Sequence, residues 1–116
     1  PGVKGMSENI EVISVIDRYL EHPRVYIFEN GGKSKVYISS ADFMTRNIEN
    51  RVEVAAPIYD HSLKQQILDV FNIIWKDNHK ARIINKFPQN QFKKSSGESL
   101  RSQWAIYDYF KKQADQ

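Results

Sequence analysis

Among the side chains able to do chemistry, His22 has the most telling setting: Pro23 and Arg24 follow it, and a β-rich run comes next. An imidazole titrates near neutral pH, so it can give or take a proton or attack phosphorus as a nucleophile. Arg24, Arg46 and Arg51 are the candidate phosphate clamps. A guanidinium grips phosphate oxygens two at a time and steadies the charge of a phosphoryl group in transfer. Glu53 lies two residues beyond Arg51. These residue types together point to phosphate chemistry, but each has a plainer account. A lone histidine at a strand start is more often exposed or capping. An arginine and a glutamate two apart on a strand share a face and form, by default, a surface ion pair. His61 and His79 fall at helix edges and are assigned to structure. They share no metal-ligand spacing with His22, and no carboxylate cluster completes a metal site.

The elements that must position these groups centre on a hairpin. Val25–Phe28 and Val36–Ser39 flank Asn30-Gly31-Gly32, and such a pair of runs around an Asn-Gly predicts a primed turn with positive φ. His22 then stands just before the first strand, and Ser39-Ser40-Ala41-Asp42 closes the second. Upstream, Glu11–Ile16 suits a strand, followed by a short turn of helix through Arg18–Glu21. Pro23 sets the boundary, since it disfavours helical backbone at His22. Phe43–Asn47 reads as an irregular connection, and Arg51–Pro57 as a strand ended by Pro57. Ser62, with Gln65 three residues on, predicts a capping box. Leu63, Ile67, Val70, Phe71 and Ile74 then form an apolar stripe, widened by Leu68, Ile73 and Trp75. That helix is expected to be buried on more than one side and to end near Asp77-Asn78. Lys80–Asn85 reads as a strand, Phe87–Gly97 as a loop, and Glu98–Lys112 as a second helix. The order predicts an α/β or α+β sandwich.

The chain has 116 residues and no cysteine, with 41% apolar residues. This suits one domain or a piece of a larger protein, and excludes disulfides and thiolate metal sites. A chain that begins at Pro1 is expected to be a processed or excised fragment. No run resembles a signal peptide or approaches the ~20 apolar residues of a membrane span. A cytoplasmic setting is expected. Residues 1–78 hold nine Lys/Arg against eleven Asp/Glu, and residues 79–116 hold eight against three. The basic final third could face a polyanion, although a solvated surface explains it as well. Gly31-Gly32 belongs to a hairpin, so it is neither a P-loop nor a dinucleotide fingerprint. Tyr26, Phe28, Tyr37, Phe43, Trp104, Tyr107 and Tyr109 have the spacing of core packing, so no nucleic-acid partner is expected.

Four segments carry a family resemblance: Ser14–Gly32, Val36–Asn47, Arg51–Ile58 and Ala105–Phe110. They resemble the C-terminal catalytic domain of bacterial polyphosphate kinases of the long-chain-synthesising type, in order and over nearly the whole chain. The last two domains of that family are similar to halves of phospholipase D-type enzymes, whose signature is H-x-K-x4-D followed by G-S-x-N. Here His22, Arg24 and Glu29 take the first spacing, and Ser39-Ser40-Ala41-Asp42 the second. Arg replaces Lys, Glu replaces Asp, and Asp42 stands in place of Asn. These departures weigh against lipid hydrolysis.

The resemblance implies a phospholipase D-like half of α+β class, with a mixed sheet containing the hairpin and flanked by helices. It implies reversible transfer of the ATP γ-phosphate to polyphosphate, with Mg²⁺, through a phosphohistidine on the preceding domain. His22 matches the family's second site histidine, expected to contact nucleotide phosphates and to act as acid or base. Arg51 matches an arginine of the phosphate pocket. Arg24 and Glu53 are expected to join it. Lys80, Arg82, Lys86, Lys93 and Lys94 could guide a polyphosphate chain. The partners expected are ATP or ADP, polyphosphate, the remaining domains of the parent enzyme and further copies of it in a homo-oligomer. The parent could also associate peripherally with a membrane. Alone, residues 1–116 are expected to be inactive. A phospholipase D-like phosphodiesterase and a non-catalytic polyanion-binding module are the competing readings. Phosphodiesterase activity without nucleotide would favour the first. Steeply salt-dependent binding of any polyanion would favour the second.

Overall fold

The strands pair through their β-branched and aromatic residues into two small antiparallel sheets. A computed structural model describes residues 1–87 and 90–115 of the protein. The contacts divide it into two units, Glu21–Asp69 and the pairing of Pro1–Leu20 with Val70–Gln116.

In the unit Glu21–Asp69, β2 (Val25–Phe28), β3 (Lys35–Ser39) and β4 (Ala55–Pro57) form an antiparallel sheet in that order. Register sets Tyr26 against Tyr37 and Ile27 against Val36. Alternation then turns Val36, which is buried, to one face and Tyr26, Phe28 and Tyr37 to the other. The hairpin forms as expected, but by a six-residue connection rather than a tight turn. Asn30, Gly31 and Gly32 all take positive φ. Asn30 Nδ2 donates to the Lys33 carbonyl, and Gly32 N–H donates to Glu29 Oε1. The strand expected over Arg51–Pro57 pairs only at Ala55–Pro57. The β3 ladder ends near Ser40, so residues 51–53 have no strand beside them. Phe43–Asn47, expected to be irregular, contains the start of a short helix, α1 (Thr45–Glu49). Helix α2 (His61–Lys76), which belongs to the other unit from Val70 on, is capped by Asp60 rather than by the predicted Ser62 box: Leu63 N–H donates to Asp60 Oδ1 at 2.9 Å. Its apolar stripe is half-buried, and no α2 residue is fully buried among the described residues. The expected burial on more than one side is therefore not found among the described residues.

In the other unit, β1 (Val12–Val15) pairs antiparallel with β5 (Ala81–Ile84). The first half of the predicted loop Phe87–Gly97 includes Pro88 and Gln89, which lie outside the described residues. Its later part returns to β5, with Phe92 bridged to Arg82. Asp77 organises this unit. It has no exposed surface and accepts from the backbone N–H groups of His79, Lys80, Ala81 and Ser102. Burial pushes its carboxyl up, but those N–H groups outweigh it and hold the carboxyl at about 2.

Two helix predictions are corrected here. No helical turn forms at Arg18–Glu21, because the Tyr19 backbone pairs with the Gln103 side chain, N–H to Oε1 at 3.1 Å and O to Nε2 at 2.8 Å. Helix α3 (Ser102–Ala114) starts four residues later than Glu98. Asn78 takes up the intervening backbone, bonding Glu98 O, Leu100 N and Leu100 O. The α+β class holds, although the strands expected in one mixed sheet form two antiparallel ones. No helix among the described residues is long and apolar enough to cross a membrane.

Candidate active site

The ladder between β2 and β3 continues one residue before β2, with the last residue of β3, Ser39, donating its N–H to the Arg24 carbonyl. Ala41 N–H then folds back onto Ser39 Oγ. This brings the loop after β3 across from the residues before β2. Pro23 keeps that lead-in extended. His22, Arg24 and Asp42 meet there.

Asp42 is the hub. Its Oδ1 lies 2.8 Å from His22 Nε2 and 2.7 Å from Arg24 Nε. Its Oδ2 accepts from Arg24 Nη2 at 3.4 Å, and that same Nη2 lies 3.2 Å from His22 Nδ1. The Arg24 guanidinium, and after it the His22 ring, hold the Asp42 carboxyl at about 2. Asp42 in turn pushes Arg24 above its usual value. The histidine ring is 60% exposed, whereas Arg24 and Asp42 are 29% and 26% exposed, so the ring reaches solvent from a half-buried ionic base.

Glu53 joins through Ser40, whose hydroxyl donates to Glu53 Oε2 and accepts the Val54 N–H. Its charge also bears on Arg24. Of the predicted site residues, His22, Arg24 and Glu53 are therefore brought together. Arg51 is not: it is exposed, and among the described residues no hydrogen bond or ion pair ties it to the cluster. The expected ion pair between Arg51 and Glu53 does not form, since residues 51–53 lie outside any strand. Glu29, third in the motif-like spacing, sits at the opposite end of β2, roughly 20 Å away at the rise of an extended chain. There it accepts the Gly32 N–H of the hairpin connection.

Two recesses adjoin the cluster within this unit. One, of about 240 Å³, is lined by His22, Arg24, Tyr26, Asp42 and Phe43 among others. The second, of about 970 Å³, shares Tyr26 and Phe43 and runs along the aromatic face of the sheet. Tyr26 and Phe43 pack edge to face at 5.7 Å. A small anionic group would meet a guanidinium and an imidazole in the first recess. The donor set does not suit Mg²⁺: Asp42 is already paired with Arg24 and His22, and Ser40 holds Glu53. Among the described residues, no group of three or more His, Asp or Glu could hold a metal ion.

His61 opens α2, and His79 Nδ1 lies 2.9 Å from Ser99 Oγ. Much of the basic third is engaged with aromatic rings. Arg82 lies over Phe92, Lys86 over Phe87, and Lys93 over Trp75. Asp42 and Ser40 stand in the second motif-like stretch but were not among the site residues expected from the sequence. The available signal was the hairpin itself, since pairing Val25 with Ile38 carries residues 22 and 41 to opposite positions.

Residues 1–103 match the protein family described as Polyphosphate kinase C-terminal domain 2. The chain is 54% identical over 112 residues to the polyphosphate kinase of Escherichia coli strain K12, covering 96% of this chain and 16% of that protein. It is 55% identical over the same length to the polyphosphate kinase of Vibrio cholerae, with the same coverage. A crystal structure of polyphosphate kinase from Porphyromonas gingivalis superposes with a TM-score of 0.88 at 44% identity, covering 92% of this chain and 17% of that one. The chain thus spans about one sixth of the length of the relatives it matches.

Proposed function

Because this chain belongs to the Polyphosphate kinase C-terminal domain 2 family, we propose that it supplies one side of a phosphoryl-transfer site in a parent polyphosphate kinase. The parent transfers the ATP γ-phosphate reversibly to polyphosphate, through a phosphohistidine on another domain. The observation that carries this reading is the His22–Arg24–Asp42 cluster, which faces an open recess at one end of the sheet.

Phosphoryl transfer depends on positioning and charge stabilisation more than on covalent help from the protein. In this reading Arg24 receives equatorial phosphate oxygens, His22 handles a proton at a bridging or terminal oxygen, and Glu53 orients the loop through Ser40. Arg51, exposed and without an ion pair among the described residues, is free to reach a nucleotide phosphate. Mg²⁺ would take its ligands from the phosphates and from other domains of the parent. The basic third offers Lys80 and Lys94 along a polyphosphate path. The parent is proposed to act in the cytoplasm and as a homo-oligomer.

The test is ATP-dependent polyphosphate synthesis by the parent enzyme and its His22→Ala variant. Loss of an acid–base group lowers the rate by roughly 10²–10⁴-fold. Near-normal synthesis by a folded variant overturns the role of His22.

A further inference from the structure

Asp42 is set in place before it touches either partner. Its carbonyl accepts the Met44 N–H at 2.8 Å and Asn47 Nδ2 at 3.2 Å, and Asn47 is itself only 4% exposed. The carboxylate therefore projects from an anchored loop toward His22 and Arg24.

The bonds among the three side chains determine where the histidine proton sits. A guanidinium nitrogen can only donate, so Nδ1 of His22 must accept from Arg24 Nη2. In the neutral ring the proton then lies on Nε2 and is donated to Asp42 Oδ1. Neither ring nitrogen has a lone pair free. A histidine so occupied cannot attack phosphorus, and cannot take a proton until Arg24 moves.

We infer that Asp42 is a positioning residue that holds His22 in the Nε2–H form, and that a phosphate drawing Arg24 off Nδ1 is what arms His22 for proton transfer. The competition is between two anions for one guanidinium: the Asp42 carboxylate at rest and a phosphate when substrate is present. Once freed, Nδ1 takes a proton from a phosphate hydroxyl. The O–H bond breaks, an N–H bond forms, and the resulting imidazolium keeps its Nε2–H on Asp42. The charged and titratable groups facing this pair are Asp42 from the loop after β3, Arg24 and Tyr26 from the β2 side, and Glu53 from the segment before β4. The consequence for catalysis rests on the phosphoryl-transfer reading above, whereas the proton's position does not.

The experiment is ring-nitrogen NMR of the parent enzyme, joined by segmental ligation so that only residues 1–116 carry ¹⁵N-histidine. This leaves three histidines, and His22→Gln identifies the signal of interest. The expected wild-type pattern is Nε2–H without ligand, with the Nδ1 resonance moving when inorganic tripolyphosphate is added. Asp42→Asn is expected to mix the tautomers, and Asp42→Glu to keep Nε2–H. In activity assays Asp42→Asn should cost about 10- to 100-fold in kcat and move the pH–rate profile, with recovery in Asp42→Glu. A wild-type ring protonated on Nδ1, or a Nδ1 signal indifferent to tripolyphosphate, overturns the inference without any variant having to fold. An Nε2–H ring in a parent that makes no polyphosphate from ATP would instead overturn the functional reading and leave Asp42 in place.

Discussion

Arg24 meets Asp42 along its edge, with Nε 2.7 Å from Oδ1 and Nη2 3.4 Å from Oδ2. This contact is the main reason the Asp42 carboxyl lies at about 2, below its ordinary 3.8. A carboxyl lowered in the folded state adds stability above the unfolded value, and that stability is lost as pH falls toward the folded one. The contribution of Asp42 is thus present above pH 3.8 and fades toward pH 2. Carboxyl ¹³C NMR should give a midpoint near 2 in the wild type, and a higher one in Arg24→Ala. A wild-type midpoint at the ordinary value would mean that the two side chains do not pair in solution.

The hairpin was legible because Val25–Phe28 and Val36–Ser39 are β-rich runs around Asn30-Gly31-Gly32. His22 and Arg24 followed from their place before the first strand. Asp42 stood in the motif-like stretch after the second strand, but its contact with His22 was not read, because local spacing does not report cross-strand neighbours: the two lie twenty residues apart and meet through strand pairing. Glu29 shows the converse. Its motif-like spacing suggested a site, but an extended strand carries it to the far end. Helix starts failed for a related reason. Asp60 caps α2 where the Ser62–Gln65 pattern was chosen, and Asn78 claims the backbone that would have extended α3 toward Glu98. A side chain three residues away, like Asp60, or twenty, like Asn78, can satisfy backbone groups in place of the expected cap or helical turn.

Asp77 should be a main determinant of stability in its unit. Asp77→Ala leaves the N–H groups of His79, Lys80, Ala81 and Ser102 without their acceptor. Hydrogen bonds to a charged group contribute about 1.5–3 kcal/mol each, and partial rehydration offsets some of that loss. A destabilisation of about 3 kcal/mol or more is expected in urea unfolding. Because its carboxyl lies at about 2 against 3.8 when unfolded, the same stability should drain away on acidification through that window. A change within about 0.5 kcal/mol, the usual range of an exposed position, would contradict this role.

Gln103 substitutes for a neighbouring strand at Tyr19. It is 7% exposed and bonds both the N–H and the carbonyl of that residue. Gln103→Ala should therefore expose one backbone segment without unfolding the rest. Hydrogen exchange of the Tyr19 amide should quicken markedly, with a cost of about 1–3 kcal/mol for the buried groups left unpaired. Unaltered Tyr19 exchange in the variant would show that another group protects it.

Arg51 and Arg24 should respond differently to truncation, because of the two only Arg24 has a side-chain partner among the described residues. Arg51 is exposed and holds no ion pair among the described residues, so its removal disturbs nothing already built. If it reaches a nucleotide phosphate in the parent enzyme, Arg51→Ala forfeits a charge-assisted bond. The KM for ATP should then rise about tenfold or more, with kcat changed less. Arg51→Lys keeps the charge but not the two-pronged geometry, so it should recover only part of the loss. Arg24→Ala should instead lower kcat, because it removes the guanidinium proposed to receive the phosphate and the main partner of Asp42. The measurement is steady-state synthesis over a range of ATP concentrations for all three variants. An unchanged KM in Arg51→Ala would remove Arg51 from the phosphate site and leave Arg24 as the arginine this chain contributes.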